Sequence, residues 1–355
     1  MRMCLWLAAM IAAASALPAR GDDGAVDFAA LNRALVESQA IPRYAAFAES
    51  AAALAAAVPT ACPGDVDALH AAFDTALDDW MLTQPIGLGP VQFQMRGPRV
   101  DYWPDRRNTG ARQLDDMLRN RPPVPGPAEL AAGSVALQGF PALERLLYAE
   151  QADGLDDYEC ALAAAIAGNI AAIGAEMAGE WTAPGGEAEQ IFGAGTEASY
   201  YADHADATTA LFKGLYQMLE VVLDQKIEAP LGDAIDAAKP RLAENWRSGR
   251  SLRNVVLNLQ AAQALFDGSA GDGFDDALAA AGAGALAAEI DAGLADALRI
   301  SAALTADLPE AVADPALRPQ VEALRDAVDR TRDLVGAEMG GALGLQRGFN
   351  SLDGD

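Results

Sequence analysis

A single glutamate, Glu144, lies in an otherwise apolar segment of the sequence. Its neighbours there are Leu137, Phe140, Leu143, Leu146 and Leu147. A carboxylate in such surroundings costs free energy unless cations or hydrogen-bond donors pair with it. Two roles fit this position. Glu144 either points into a pocket and binds a cation or an uncommon ligand, or forms an ion pair with Arg106, Arg107 or Arg145 that locks a long loop onto the helices.

The sequence has two histidines, which are the other candidates for metal chemistry. His70 precedes Asp74 by four residues, so both side chains lie on one face of a predicted helix and could bind one metal ion. His204 lies between Asp203 and Asp206. A catalytic zinc site needs about three protein ligands and an open position for water. The sequence contains no HExxH motif, and a lone helical histidine is more often a hydrogen-bonded structural residue.

Aromatic and charged residues are mixed in the segment 84–106 and just after it. They are Asp101, Tyr102, Trp103, Asp105, Arg106 and Arg107. Such a mixture is typical of a pocket wall, because ligand sites combine aromatic surfaces with a few polar groups. The alternative is that Trp103 packs over the helices while the arginines pair with carboxylates. In the second half, Arg247 and Arg250 either face the same site or lie in a connection between two helices.

Helical periodicity runs through most of the chain and predicts an all-α fold. Between Asp65 and Leu82, apolar residues recur every three or four positions and form one stripe. A first helix is predicted over 26–58, bent or divided at Pro42. Further helices are predicted at 107–120, 129–150, 156–181, 231–245, 251–266, 274–305 and 317–338. The Gly- and Pro-rich stretch after Thr182 separates a first helical bundle (20–182, with the long loop 84–106) from a second (196–355).

The N-terminus predicts export. Arg2 precedes an apolar run from Cys4 to Ala14, and small residues follow, which is the pattern of a signal peptide over residues 1–19. We expect cleavage after Ala16 or Ala19 and a periplasmic mature protein without a membrane span. Export leaves Cys62 and Cys160, which we expect to form a disulfide in an oxidising compartment. Two free buried thiols are the alternative.

The formal net charge of −26 bears on possible partners. Electrostatic binding to nucleic acid or to an anionic membrane surface is disfavoured at this charge. Cationic partners, including metal ions, would be attracted. Solvated acidic helix faces explain the same composition without any partner.

Several segments together resemble the imelysin-like family. Residues Gly139 to Glu144 are similar to its Gly-x-His-x-x-Glu signature, with Pro141 where the family has histidine. A Trp-Pro-Asp at Trp103 is followed by basic residues, as in the family's long loop. The segments Glu244–Leu252, Asn258–Gln260 and Gly348–Asp355 also resemble family patterns and occur in the expected order.

The resemblance implies two packed four-helix bundles, with the signature motif near their junction, and a role in bacterial iron uptake. In the family motif, histidine and glutamate would aim at one metal; Pro141 offers no lone pair, which disfavours metallopeptidase chemistry. We expect a non-catalytic binding or accessory protein with Glu144 as its central polar group. The candidate ligand-binding residues are Glu144, Trp103, Asp105, Arg106, Arg107, Arg247 and Arg250.

The remaining predictions concern the ligand and its alternatives. If a metal binds, it would be iron or another divalent ion, with Glu144 as a ligand. The partners would be a small ligand or other envelope proteins of iron uptake. One alternative is a metal-dependent peptidase that draws on His70 or His204. The other is an interaction module whose acidic surface docks another envelope protein.

Overall fold

The computed structural model describes residues 26–149, 154–268 and 272–345. Within these ranges the chain forms helices and turns and no β-strand, so the predicted all-α class is confirmed. The predicted signal peptide (1–19) and the C-terminal segment Gly348–Asp355 lie outside the described residues.

The first half contains nine α-helices, of which α2, α3, α7 and α8 pack together. Their bounds are α1 Phe28–Leu35, α2 Ile41–Ala61, α3 Val66–Thr83, α4 Arg96–Val100, α5 Thr109–Asn120, α6 Pro127–Ala132, α7 Gly139–Leu147, α8 Asp157–Thr182 and α9 Glu187–Phe192. A π-helical turn, Val36–Ala40, joins α1 to α2 and directly precedes Pro42. Proline lacks the N–H that a regular helix needs, so this irregularity lies where the sequence predicts a bend.

The second half is built on α10, α12, α14 and α16. Its helices are α10 His204–Glu220, α11 Ala229–Leu231, α12 Ser251–Asp267, α13 Phe274–Ala280, α14 Gly284–Ala303, α15 Leu308–Ala313, α16 Arg318–Asp333 and α17 Gly340–Leu343. Two further π-helical turns, Val221–Glu228 and Leu334–Met339, extend α10 and α16.

Four predicted segments differ from the structure, and one of them, the predicted helix 274–305, is divided into α13 and α14 by a turn after Ala280. Residues 231–245 form two 3₁₀ turns, Ile235–Ala237 and Pro240–Leu242, because Gly232 and Asn245 have positive φ and Pro240 lacks an N–H. The predicted helix 129–150 is divided into α6, a 3₁₀ turn and α7. The long loop 84–106 contains the 3₁₀ helix Gly89–Met95 and α4.

The two halves share one continuous hydrophobic core, which runs from Leu31 to Leu345. Helix α3 packs on α12, and α1 packs on α10 and α13. Asn32 of α1 donates to the carbonyl oxygen of His204 at 2.8 Å and accepts from Thr208 at 2.7 Å. Since α1 contacts the second half, the division into 20–182 and 196–355 describes the chain order and stays a prediction as a domain boundary.

Helix α8 belongs to the one segment of the described chain that is long and apolar enough to cross a membrane. The segment Asp157–Phe192 has the length and hydropathy of a membrane span, but 56% of its most apolar window is buried inside the protein. It packs along α2, where Gly174 lies against Phe47 and Ala48. A buried core helix has the same composition, so this segment is weak evidence for a span.

The predicted disulfide is confirmed. Cys62, at the C-terminal end of α2, is bonded to Cys160 in the first turn of α8, with their Cα atoms 5.8 Å apart. The bond closes a loop between cysteines that are 98 positions apart in the sequence. It therefore joins the first helical hairpin to a later helix, as predicted.

Replacing both cysteines with serine should lower the free energy of unfolding by about 2–4 kcal/mol, because the unfolded chain regains the freedom of a long loop. The measurement is guanidinium denaturation of oxidised wild type and variant. Wild type with a reductant is the matched control and should unfold with the variant. Coincident midpoints of oxidised wild type and variant would contradict the prediction.

Candidate functional site

The segment Gly139–Glu144 lies at the start of a new helix, α7. Gly139 has φ +73°, and a Cβ there would lie 2.1 Å from the carbonyl oxygen of Val100, so only glycine fits. Pro141 lies in the first turn of α7, where a missing N–H breaks no helical hydrogen bond. This tight packing of α7 on the end of α4 directs Glu144 towards the second half of the protein.

Glu144 is buried and is bound by Ser248. Its Oε1 accepts hydrogen bonds from the Ser248 backbone N–H at 3.0 Å and from the Ser248 hydroxyl at 2.7 Å. Burial raises the pKa of Glu144, while the two bonds from Ser248 and the charge of Arg247 oppose that rise. Among the described residues no arginine lies within ion-pair distance of Glu144, so the alternative of an ion pair with Arg106, Arg107 or Arg145 is contradicted.

A cavity of about 510 Å³ lies between the two halves, and we call it the junction cavity. The first half contributes residues from Asp101 to Arg106 and the α7 residues Pro141, Glu144 and Arg145. The second half contributes Asp224, Gln225 and the stretch 241–247. A smaller cavity of about 270 Å³ adjoins it, because Asp101, Trp103 and Glu244 line both.

A buried ion pair, Lys226–Glu244, lies beside these cavities. The Lys226 Nζ atom is 2.8 Å from the Glu244 carboxylate, and both side chains are at most 3% exposed. Lys226 also donates to Asn258 at 2.6 Å and to Gln84 at 3.1 Å. Asn254 donates to the same carboxylate at 2.6 Å. Every charge in this group is thus matched by hydrogen bonds, which a buried pair requires.

Asp101 is a second acid of the site whose pKa is raised. Burial and the charge of Glu244 raise its pKa to about 7, against the opposing effects of Lys226 and of a hydrogen bond from Trp80. The Trp80 indole N–H donates to Oδ2 at 3.2 Å, whereas Oδ1 has no partner among the described residues. Asp101 therefore gains or loses a proton near neutral pH at the boundary between the two cavities.

Five of the seven predicted site residues line the junction cavity. They are Trp103, Asp105, Arg106, Glu144 and Arg247. The Asp105 carboxylate accepts from the backbone N–H groups of Thr109 and Gly110, at 2.8 and 2.7 Å, so it also caps the start of α5.

The other two predicted residues lie outside the cavity. Arg107 is exposed and is not among the lining residues. Arg250 forms ion pairs with Asp74 (3.0 Å) and Asp78 of α3, because the turn after Ser248 directs it towards that helix. Its expected role in ligand binding is replaced by a contact between the two halves.

Neither histidine lies with other metal ligands. His70 is 2.8 Å from the carbonyl oxygen of Leu147, and its ring stacks on Tyr148 with centroids 3.9 Å apart. His204 begins α10, away from the residues that line the junction cavity. In the described part of the chain, no three His, Cys, Asp or Glu side chains are grouped as a metal site would need.

Sequence reasoning missed several residues of the site. The sequence motifs do not point to Lys226, Asp224 or Arg241, and they indicate Arg145 only as a partner of Glu144. A signal was present for Lys226 in the helical spacing: it continues the apolar stripe of Leu215, Leu219 and Val222, and a lysine buried in such a stripe needs an acid. The π-helical turn Val221–Glu228, which brings Asp224, Gln225 and Lys226 to the cavities, has no comparable sequence signal.

Lys226→Met should lower the free energy of unfolding by about 3–5 kcal/mol, because Glu244 would remain buried without its cation. The double variant Lys226→Met/Glu244→Gln should recover part of that loss. Urea denaturation measures both. Arg119→Met, which removes the exposed pair with Asp116, is the control and should change stability by less than about 1 kcal/mol. A single variant as stable as this control would contradict the prediction.

Asp101 should make stability depend on pH. Because its folded pKa is raised, the protonated form favours the folded state, and this contribution is lost as pH rises from about 4 through about 7. Relative to Asp101→Asn, the wild type should lose on the order of 2 kcal/mol over that range. Denaturation curves at several pH values test this; parallel pH profiles of the two proteins would contradict it.

Comparisons with known proteins agree with this architecture. An Imelysin family model (Peptidase_M75) matches residues 40–335. An imelysin-like protein from Psychrobacter arcticum 273-4 superposes with a TM-score of 0.75 at 20% identity, covering 92% of this chain and 99% of that one. No curated protein matches the chain.

A second solved structure has a similar fold. It is a putative iron-regulated protein A precursor from Parabacteroides distasonis ATCC 8503, with a TM-score of 0.72 at 14% identity, covering 90% of this chain and 97% of that one. At these identities the structural likeness concerns the fold. The family match, which spans most of the sequence, decides the classification: the chain belongs to the imelysin family.

Proposed function

We propose that this chain is an exported, non-catalytic binding protein of the imelysin family, that it takes part in iron uptake, and that its ligand lies in the junction cavity. The observation that carries the proposal is the construction of that cavity. Both halves supply its walls, and the Glu144–Ser248 contact lies at its edge. A ligand bound in a site shared in this way would affect both halves of the protein.

The size and lining of the junction cavity support a small organic ligand. Its volume of about 510 Å³ lies within the range of ligand pockets, roughly 300–1,000 Å³. Tyr102, Trp103 and Trp246 offer aromatic surface, and arginines offer hydrogen-bond donors. This combination suits a ligand that is partly planar and partly polar.

The residues present do not fit a metal ion held by Glu144. Its Oε1 already accepts two hydrogen bonds from Ser248, and the neighbouring motif position is Pro141, which has no donor atom for a metal. The cavity lining includes no histidine or cysteine. We therefore derive no metal-dependent step, and a bare metal ion is not the ligand we propose.

Export and the link to iron rest on separate observations. The Cys62–Cys160 disulfide is of the kind that persists in oxidising compartments, which supports a periplasmic location. The Parabacteroides protein of similar fold is named as iron-regulated. We extend this association with iron to the present chain as part of the proposal.

Native mass spectrometry of tag-free protein tests the proposal. After incubation with a small-molecule extract of iron-limited bacteria, we expect one organic ligand per chain. Trp103→Ala and Glu144→Ala should reduce its occupancy at least tenfold, because one removes aromatic cavity surface and the other loosens the contact with Ser248. Glu289→Ala, at an exposed position, is the matched control and should retain the ligand.

Two results would contradict the proposal. One is the absence of any retained small molecule from wild-type protein. The other is proteolysis of a peptide library by wild-type protein that a chelator abolishes, since this would establish the peptidase alternative.

A further inference from the structure

Four arginines surround the junction cavity, although the chain as a whole carries a net charge of −26. They are Arg106, Arg145, Arg241 and Arg247. Arg106 and Arg145 come from the first half, and Arg241 and Arg247 come from the second. The lining also contains five carboxylates, so what the arginines can bind depends on which of these carboxylates are already engaged.

None of these four guanidinium groups has an ion pair or a hydrogen bond with another described residue. Two buried arginines outside the cavity behave differently. Arg96 lies 2.6 Å from Glu180, and the buried Arg318 donates to backbone carbonyl oxygens and to Glu322. The arginines of the cavity therefore retain free donors, and Arg145 and Arg247 do so while partly buried.

Arg145 and Arg247 are close enough to repel each other. Burial lowers the pKa of Arg247 first, and the charge of Arg145 lowers it further. Glu144 and Asp115 attract Arg247, yet neither comes within ion-pair distance. Two partly buried like charges without a counter-ion are an unfavourable arrangement that a bound anion would relieve.

The indole of Trp246 holds this arrangement in place. The guanidinium carbons of Arg247 and Arg241 lie 4.2 and 5.2 Å from the centre of its ring, within the range of cation–π contacts. Such contacts orient guanidinium groups while leaving their N–H donors free. The second-half arginines are thus positioned in advance of any ligand.

Four of the five acidic residues of the lining already accept hydrogen bonds from other residues. Asp105 accepts two backbone N–H groups, Glu144 accepts from Ser248, and Glu244 pairs with Lys226. Asp101 accepts from Trp80. Burial raises the pKa of Asp224, and the nearby Arg332 opposes that rise. The guanidinium donors therefore outnumber the acceptors that remain for them.

We infer that the junction cavity binds a small organic anion, and that its carboxylate or phosphate group is held by Arg145 and Arg247 across the two halves. This inference rests on the proposed function, because it assigns a chemical class to the ligand of the same cavity. Arginine is suited to both groups, since its planar donors match two acceptor oxygens. Iron would reach such a site only as an anionic chelate.

Thermal unfolding with citrate, inorganic phosphate and ferric citrate tests the inference, with sodium chloride at equal ionic strength as reference. At least one of these anions should raise the Tm of wild type above the reference. Arg145→Gln and Arg247→Gln should lose most of that rise. Arg107→Gln, at an exposed position outside the cavity, is the matched control and should keep it.

The control separates specific binding from general salting effects, because citrate and phosphate stabilise folded proteins without a site. An equal rise in wild type and all three variants would overturn the inference. Calorimetry with citrate and phosphate then measures the affinity, which should fall at least tenfold in Arg247→Gln. A response to phosphate alone, to citrate alone or to ferric citrate alone identifies the source of the anionic group.

The same measurements distinguish the inference from the proposed function. A neutral compound (inositol) and a cation (spermidine) are included in the calorimetry. If either of them binds in a Trp103-dependent manner and no anion does, the inference fails while the proposed function stands. If no compound of any charge binds, and native mass spectrometry also finds no ligand, both fail.

Discussion

The structure depends above all on the buried ion pair between Lys226 and Glu244. A charge pair removed from water is tolerated only when its remaining donors and acceptors are satisfied. Here Gln84 comes from the first half, whereas Asn254 and Asn258 come from α12. Because these partners lie on different elements, satisfying the pair fixes α3, α12 and the π-helical turn Val221–Glu228 relative to one another. Of these elements, the π-helical turn also lines the junction cavity, through Asp224 and Gln225.

A second polar contact between the two halves lies at the edge of the junction cavity. Gly139 lets α7 pack directly on the carbonyl oxygen of Val100, and from there Glu144 reaches the backbone N–H of Ser248. The turn that contains Ser248 also places Arg247 where the charge of Arg145 acts on it. Glu144 thus makes a structural contact here, and the free hydrogen-bond donors of the cavity belong to arginines.

The sequence was sufficient for the features that depend on local pattern. Helical periodicity predicts the all-α class, and the two cysteines that remain after the predicted signal peptide predict the disulfide. The sequence was insufficient for the features that depend on long-range packing. Residue type and spacing do not distinguish Arg250 from Arg247, yet Arg250 pairs with Asp74 and Arg247 lines the cavity. The missing helix at 231–245 follows from Gly232, which packs against the carbonyl oxygen of Ala237, a contact that appears only once the chain is folded.

The central claim is that one ligand engages both halves of the protein at the junction cavity. Hydrogen–deuterium exchange with and without the ligand recovered from the cell extract tests it most directly. The account predicts slower exchange in two separate segments, 101–110 from the first half and 241–250 from the second, with little change in α14 and α16. Protection confined to one half, or found only on the surface remote from Trp103 and Trp246, would contradict it.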